Sequence, residues 1–113
     1  MNLKEIIEQL KLQVLTAKDT LEIEVTWGYT SDLLSDVIAN SKEGNLWITL
    51  QTHQNIVAVA KLKDLAGIIL VNNRMPEKET LKKADQEKVP LMTTEESAFN
   101  ISGKLFQLIG TKG

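Results

Sequence analysis

The sequence predicts an α/β domain: one mainly parallel four-stranded sheet with helices on both faces, in the order αβαβαβαβα. Three observations carry this. Leu46-Trp47-Ile48-Thr49-Leu50 and Gly67-Ile68-Ile69-Leu70-Val71 are continuous apolar runs, the mark of strands covered on both faces. The stretches around them space their apolar residues three and four apart, as helices do. Strands and helices alternating at this interval imply right-handed crossovers and hence parallel pairing.

The elements follow in order. Leu3, Ile6, Ile7 and Leu10 share one helical face, and Asn2 with Glu5 three residues on forms a capping box. This helix fades between Leu12 and Ala17. Leu21 to Trp27 alternates apolar and polar residues at period two, which predicts a strand wet on one face. Gly28-Tyr29-Thr30-Ser31 is read as the next turn, where Gly28 supplies a positive φ and Thr30 or Ser31 caps a helix carrying Leu33, Leu34, Val37 and Ile38 on one face. Asn40 to Asn45 is a polar, glycine-containing turn into the strand 46–50. Asn55 to Ala66 starts with β-branched residues, yet its length and the set Ile56, Val59, Ala60 and Leu62 fit a buried helix. After 67–71 comes a turn, then a helix entered at Pro76 that runs to about Lys88, with Leu81 and Ala84 as its sparse buried face. Val89 to Thr93 is a short strand with Pro90 near its entry. Thr93 with Glu96, or Thr94 with Ser97, caps a last helix that shows Phe99, Leu105, Phe106 and Ile109 before Gly110 ends it.

Composition narrows the function. A chain of 113 residues is read as a single domain, 1–113, since single cores hold about 100 to 150 residues. With no cysteine, disulfides, thiolate catalysis and zinc-thiolate sites are excluded together. The opening residues show no signal sequence, and no stretch reaches the roughly 18 apolar residues of a membrane span, so a soluble, cytoplasmic protein is expected. Thirteen basic against fifteen acidic side chains give no field that would gather nucleic acid or an anionic membrane. A small anionic ligand such as a nucleotide, or a protein, is the expected partner.

Ligands of open parallel sheets bind at the carboxyl ends of the strands. The expected ligand-binding residues are therefore Gly28, Tyr29 and Ser31, then Thr52, His53, Gln54 and Asn55, then Thr93 and Thr94. Helix starts near Ser31, Asn55 and Thr94 offer backbone donors suited to an anion. Tyr29 is the aromatic kept for a ligand or interface. Trp47 is read as core. His53, the sole histidine, is read as a hydrogen-bonding or capping residue, with general acid/base work over a phosphorylated small molecule as the alternative. No metal ligand spacing is recognisable among Asp32, Asp36, Glu95 and Glu96. Ser102-Gly103-Lys104-Leu105 lacks both the first glycine and the Ser or Thr of a phosphate loop, and a lone Gly28 makes no dinucleotide loop, so no catalytic residue and no cofactor is expected.

The chain also resembles a family. Ser31 to Val37, Lys42 to Thr49, Gln51 to Ala60, Leu65 to Ile69 and Ser97 to Phe99 resemble the DRTGG domain, most strongly over 28–109. More closely it is similar to stand-alone short bacterial members, labelled as serine kinases of the phosphocarrier protein HPr or found beside hydrogenase-type genes. In the HPr kinase/phosphorylase family the corresponding region is the non-catalytic amino-terminal part, so a kinase label belongs to a phosphate-loop domain that this sequence lacks. The resemblance implies a non-enzymatic regulatory or scaffold role, commonly in a homodimer. The alternative it leaves open is a protein-interaction module of a redox or hydrogenase-type assembly. The family's Asp-Arg-Thr-Gly-Gly tract is missing, and Gln51-Thr52-His53-Gln54 stands where such a turn would lie.

Overall fold

The computed structural model describes residues 1–110, so the last three residues of the expected 1–113 domain lie outside the described residues. The chain opens with helix α1, Leu3–Leu10, closed at its start by the expected capping box: Glu5 N donates to Asn2 Oδ1 at 2.9 Å and Asn2 N to Glu5 Oε1 at 3.1 Å. Lys11, in the left-handed region at φ 55°, ends the helix. A two-residue strand the sequence reading lacked follows, β1, Gln13–Val14.

The remaining elements are β2 (Trp27–Thr30), α2 (Leu34–Asn40), β3 (Asn45–Thr49), α3 (Asn55–Leu62), β4 (Gly67–Leu70), α4 (Lys78–Gln86), β5 (Leu91–Thr93) and α5 (Ala98–Gly110). They build one five-stranded sheet in the order β1-β5-β4-β3-β2, in which β2 to β5 run parallel and β1 runs antiparallel to β5. The α/β class holds. The strand count is five, and β1 makes the sheet mixed.

Sequence neighbours are sheet neighbours from β2 to β5, and the three crossovers between them put their helices on one face. There Val37 of α2, Ile56, Val57, Val59 and Ala60 of α3 and Ala84 of α4 pack on Trp47, Ile68, Leu70 and Leu91. Helices α1 and α5 cover the other face, where Leu3, Ile6, Ile101 and Leu105 meet Leu46, Ile48, Ile69 and Met92. The period-two alternation of β3 thus divides as expected, Leu46 and Ile48 to one layer and Trp47 to the other.

Several expectations are corrected. Leu21 to Thr26 is not a sheet strand. Its carbonyls are taken by the start of α1, whose first donors need partners: Leu3 N reaches Ile23 O at 2.8 Å and Lys4 N reaches Leu21 O at 3.0 Å. The alternation still sorts Val25 inward and Glu22 and Glu24 outward. Gly28 to Thr30 is not a turn but the body of β2, and among the described residues the positive-φ glycine is Gly44, in the turn before β3. At Gly28 the requirement is space, since an added Cβ would lie 2.8 Å from Leu105 Cδ2 of α5. Pro76 sits two residues before α4. On α3, Leu62 is exposed and Val57 takes its place inside; Leu33, Ile38, Phe99 and Phe106 are exposed as well.

Candidate functional site

Four parallel strands bring four loops to one sheet edge, as expected, and the loops fall into two halves of different construction. In spatial order they are 94–97 after β5, 71–77 after β4, 50–54 after β3 and 31–33 after β2. His53 follows β3 and Thr93 ends β5, two places away in the sheet, roughly 10 Å.

The β2–β3 half is closed by Asp32, which the sequence reading had considered only as a metal ligand. One carboxylate oxygen accepts from Thr49 Oγ1 at 2.8 Å and Leu50 N at 2.7 Å, and the Asp32 carbonyl accepts from Gln51 Nε2 at 2.8 Å. Trp47 Nε1 donates to the Ser31 carbonyl at 2.8 Å. The expected anion-binding start of α3 is used up locally. Asn55 N donates to His53 Nδ1, Ile56 N to the His53 carbonyl and Val57 N to the Gln54 carbonyl. The Thr52 carbonyl accepts from Glu77 N at 3.2 Å and Thr80 Oγ1 at 2.7 Å, tying this loop to α4. The tetrad Thr52 to Asn55 thus builds a loop and a helix start.

Tyr29 lies within β2 and turns to the α2 layer, where its hydroxyl donates to Asp36 Oδ1 at 2.7 Å; Asn40 Nδ2 donates to the same oxygen at 2.8 Å. Hydrogen bonds from Ser31, then Tyr29 and Asn40, hold the Asp36 carboxyl below its usual range. The Asp36 hydrogen bond, then burial and the nearby negative charge, push the Tyr29 hydroxyl above 10. Folding gains from a lowered Asp36 above the carboxyl's unfolded value and loses that gain as pH falls through the folded one. For the raised Tyr29 the gain is whole below 10 and disappears as pH climbs past the folded value. The chain has one tyrosine, so absorbance at 295 nm reads it alone. Asp36→Ala is expected to bring its titration back toward 10; an unmoved titration would contradict the contact.

The β4–β5 half is different. The chain leaving β4 goes to α4 on one face, whereas the chain leaving β5 goes to α5 on the other, and neighbouring strands whose connections part this way open a crevice at their carboxyl ends. Its base is stapled by Asn72 N to the Glu96 carbonyl at 2.9 Å, Asn73 N to the Thr94 carbonyl at 2.7 Å and Thr93 Oγ1 to the Arg74 carbonyl at 2.9 Å. Above it lies a polar groove of about 470 Å³, bounded by Asn73 and Thr93 to Glu96, by Gln9, Lys11 and Gln13 from the α1–β1 corner, and by Lys104. Lys104 Nζ stands 2.6 Å from Glu96 Oε2, with its side chain half exposed. Of the expected residues this groove gathers Thr93 and Thr94 alone. Gln9, Lys11, Gln13, Asn73 and Lys104 were missed, because only the antiparallel pairing of Gln13 with Thr93 brings the first three there. A second, apolar cavity of about 140 Å³ lies between α5 and β2 beside Trp27, Gly28 and Phe106. Among the described residues no group of three or more His, Cys, Asp or Glu could hold a metal ion, and no helix is long and apolar enough to cross a membrane.

A solved structure shares this architecture. It is the regulatory region, comprising CBS and DRTGG domains, of a Clostridium perfringens pyrophosphatase, complexed with its activator diadenosine tetraphosphate. The TM-score is 0.67 at 15% identity, over 91% of this chain and 44% of that one. This chain thus has the fold of part of that region and spans less than half of its length. No family model and no curated protein matches the sequence.

Proposed function

We propose that this chain is a non-catalytic, cytoplasmic regulatory domain of the DRTGG kind, homodimeric, which reads a small anionic ligand such as a nucleotide or sugar phosphate in the β4–β5 groove. The observation that carries the reading is the parting of the β4 and β5 connections to opposite faces, which puts a polar groove where open parallel sheets bind ligands. Lys11 and Lys104 supply positive charge there, Gln9, Gln13 and Asn73 supply amides, and Glu96 is displaced as partner of Lys104 when an anion arrives. The regulatory role is supported by the fold shared with a nucleotide-activated regulatory region. His53 serves α3 through Nδ1, which weighs against its use as an acid or base.

The test is titration calorimetry with adenine nucleotides and sugar phosphates. Lys104→Met is expected to weaken binding about tenfold, near 1.4 kcal/mol, while His53→Ala leaves it unchanged. No saturable binding, the opposite pattern between the two variants, or turnover of a bound compound would overturn the reading.

A further inference from the structure

Helix α5 carries a stripe that, among the described residues, only Trp27 partly covers. Phe99, Gly103, Phe106 and Gly110 recur at spacings of four, three and four, the spacing of a coiled-coil seam, with large and small residues taking turns. The opposite side of the helix holds the buried Ile101 and Leu105. Phe99 is 86% exposed and Phe106 61%, and Trp27 of edge strand β2, 43% exposed, lies edge-on to Phe106 at 5.3 Å between ring centroids. A Cβ at Gly103 would meet nothing within 4 Å, so that position is an open hole. At Gly110 the Trp27 ring already takes the space a side chain would use, 3.3 Å from where a Cβ would sit.

We propose that this stripe is the contact with a second copy of the chain, the two α5 helices packing antiparallel about a two-fold axis between Lys104 and Leu105. In that register Phe106 of one copy enters the open position at Gly103 of the other, and Phe99 faces the Trp27 ring lying over Gly110. The pattern is its own complement, which singles out a second copy as the occupant. Area agrees. Taking about 200 Å² for each aromatic, the three exposed rings offer roughly 400 Å², half of the ~800 Å² each partner buries in a standard interface. Like charges do not meet on the seam either, since the charged residue of α5, Lys104, pairs with its own Glu96.

This deepens the dimeric part of the proposed function, and sedimentation equilibrium of the full chain separates the two. The wild type is expected at twice the chain mass. Phe99→Glu and Gly103→Gln are each expected to weaken self-association at least tenfold, with unchanged circular dichroism, because one side chain lies in solvent and the other enters open space. A dimer that persists in either variant overturns this interface and leaves the dimer standing. A wild-type monomer at every concentration overturns both.

Discussion

Trp47→Ala is expected to cost about 4 kcal/mol of folding stability, out of the roughly 5–15 kcal/mol that a domain has. Trp47 is fully buried on β3, in the layer that holds Val37, Ile56 and Val57. Truncation would leave the largest void the core can suffer at one position, and the helices packed on that layer collapse only partly into it. It would also remove the indole donor from the Ser31 carbonyl, loosening the 31–33 loop that Asp32 fixes to β3. Trp47→Phe separates the two contributions, keeping a ring in place while losing the bond, and about 1–2 kcal/mol is expected for it. Urea denaturation measures both. A Trp47→Ala protein within 1 kcal/mol of wild type would mean that β3 is not the tightly packed inner strand described above.

The parts of the fold that could be read in advance are those whose cause is local. Leu46, Trp47 and Ile48 show burial on both faces in their own pattern, and Asn2 with Glu5 writes its own capping box. Gln13 and Val14 make too short a strand to show any period, and what holds them is Thr93 and Met92, some eighty residues later. Leu21 to Trp27 shows a strand's alternation because it too has an inner and an outer side; what a single pattern does not disclose is that its carbonyls serve α1. Phe99 and Phe106 stand in the sequence beside Leu105 and Ile109 as apolar residues of the last helix, and nothing in that pattern tells the exposed rings from the buried Leu105. The two halves of the strand-end rim differ for a related reason. A polar tetrad at a strand end reads as a binding rim, yet the donors of Asn55, Ile56 and Val57 are consumed within the turn, whereas the groove at β5 is assembled from the α1–β1 corner and Lys104. Glycine-free Thr52 to Asn55 carried no sign of that difference.

Gly67→Ala is the second large effect, expected at about 3 kcal/mol although it adds a single methyl group. Gly67 begins β4, the middle strand, with a φ that any residue can adopt, so backbone conformation is not at stake. What matters is proximity. A Cβ there would lie 2.9 Å from the Pro90 carbonyl oxygen and 3.3 Å from Pro90 Cβ, and the nearest atom belongs to backbone that cannot swing aside. That carbonyl accepts from Ile68 N at 2.9 Å, so moving it strains the bond that starts the β4–β5 ladder. The disturbance would spread along the same segment. The buried Thr16 hydroxyl donates to the Val89 carbonyl at 2.7 Å and accepts from Leu91 N at 3.0 Å, pinning both sides of Pro90 to the chain that leaves β1. Strand β5 is thus held at its entry from two directions, and relief toward one strains the other. The urea midpoint is expected to fall by about 1–2 M with an unchanged slope. A Gly67→Ala protein as stable as wild type would show that Pro90 yields freely, and the rigid entry to β5 argued from Thr16 and Gly67 would then be wrong.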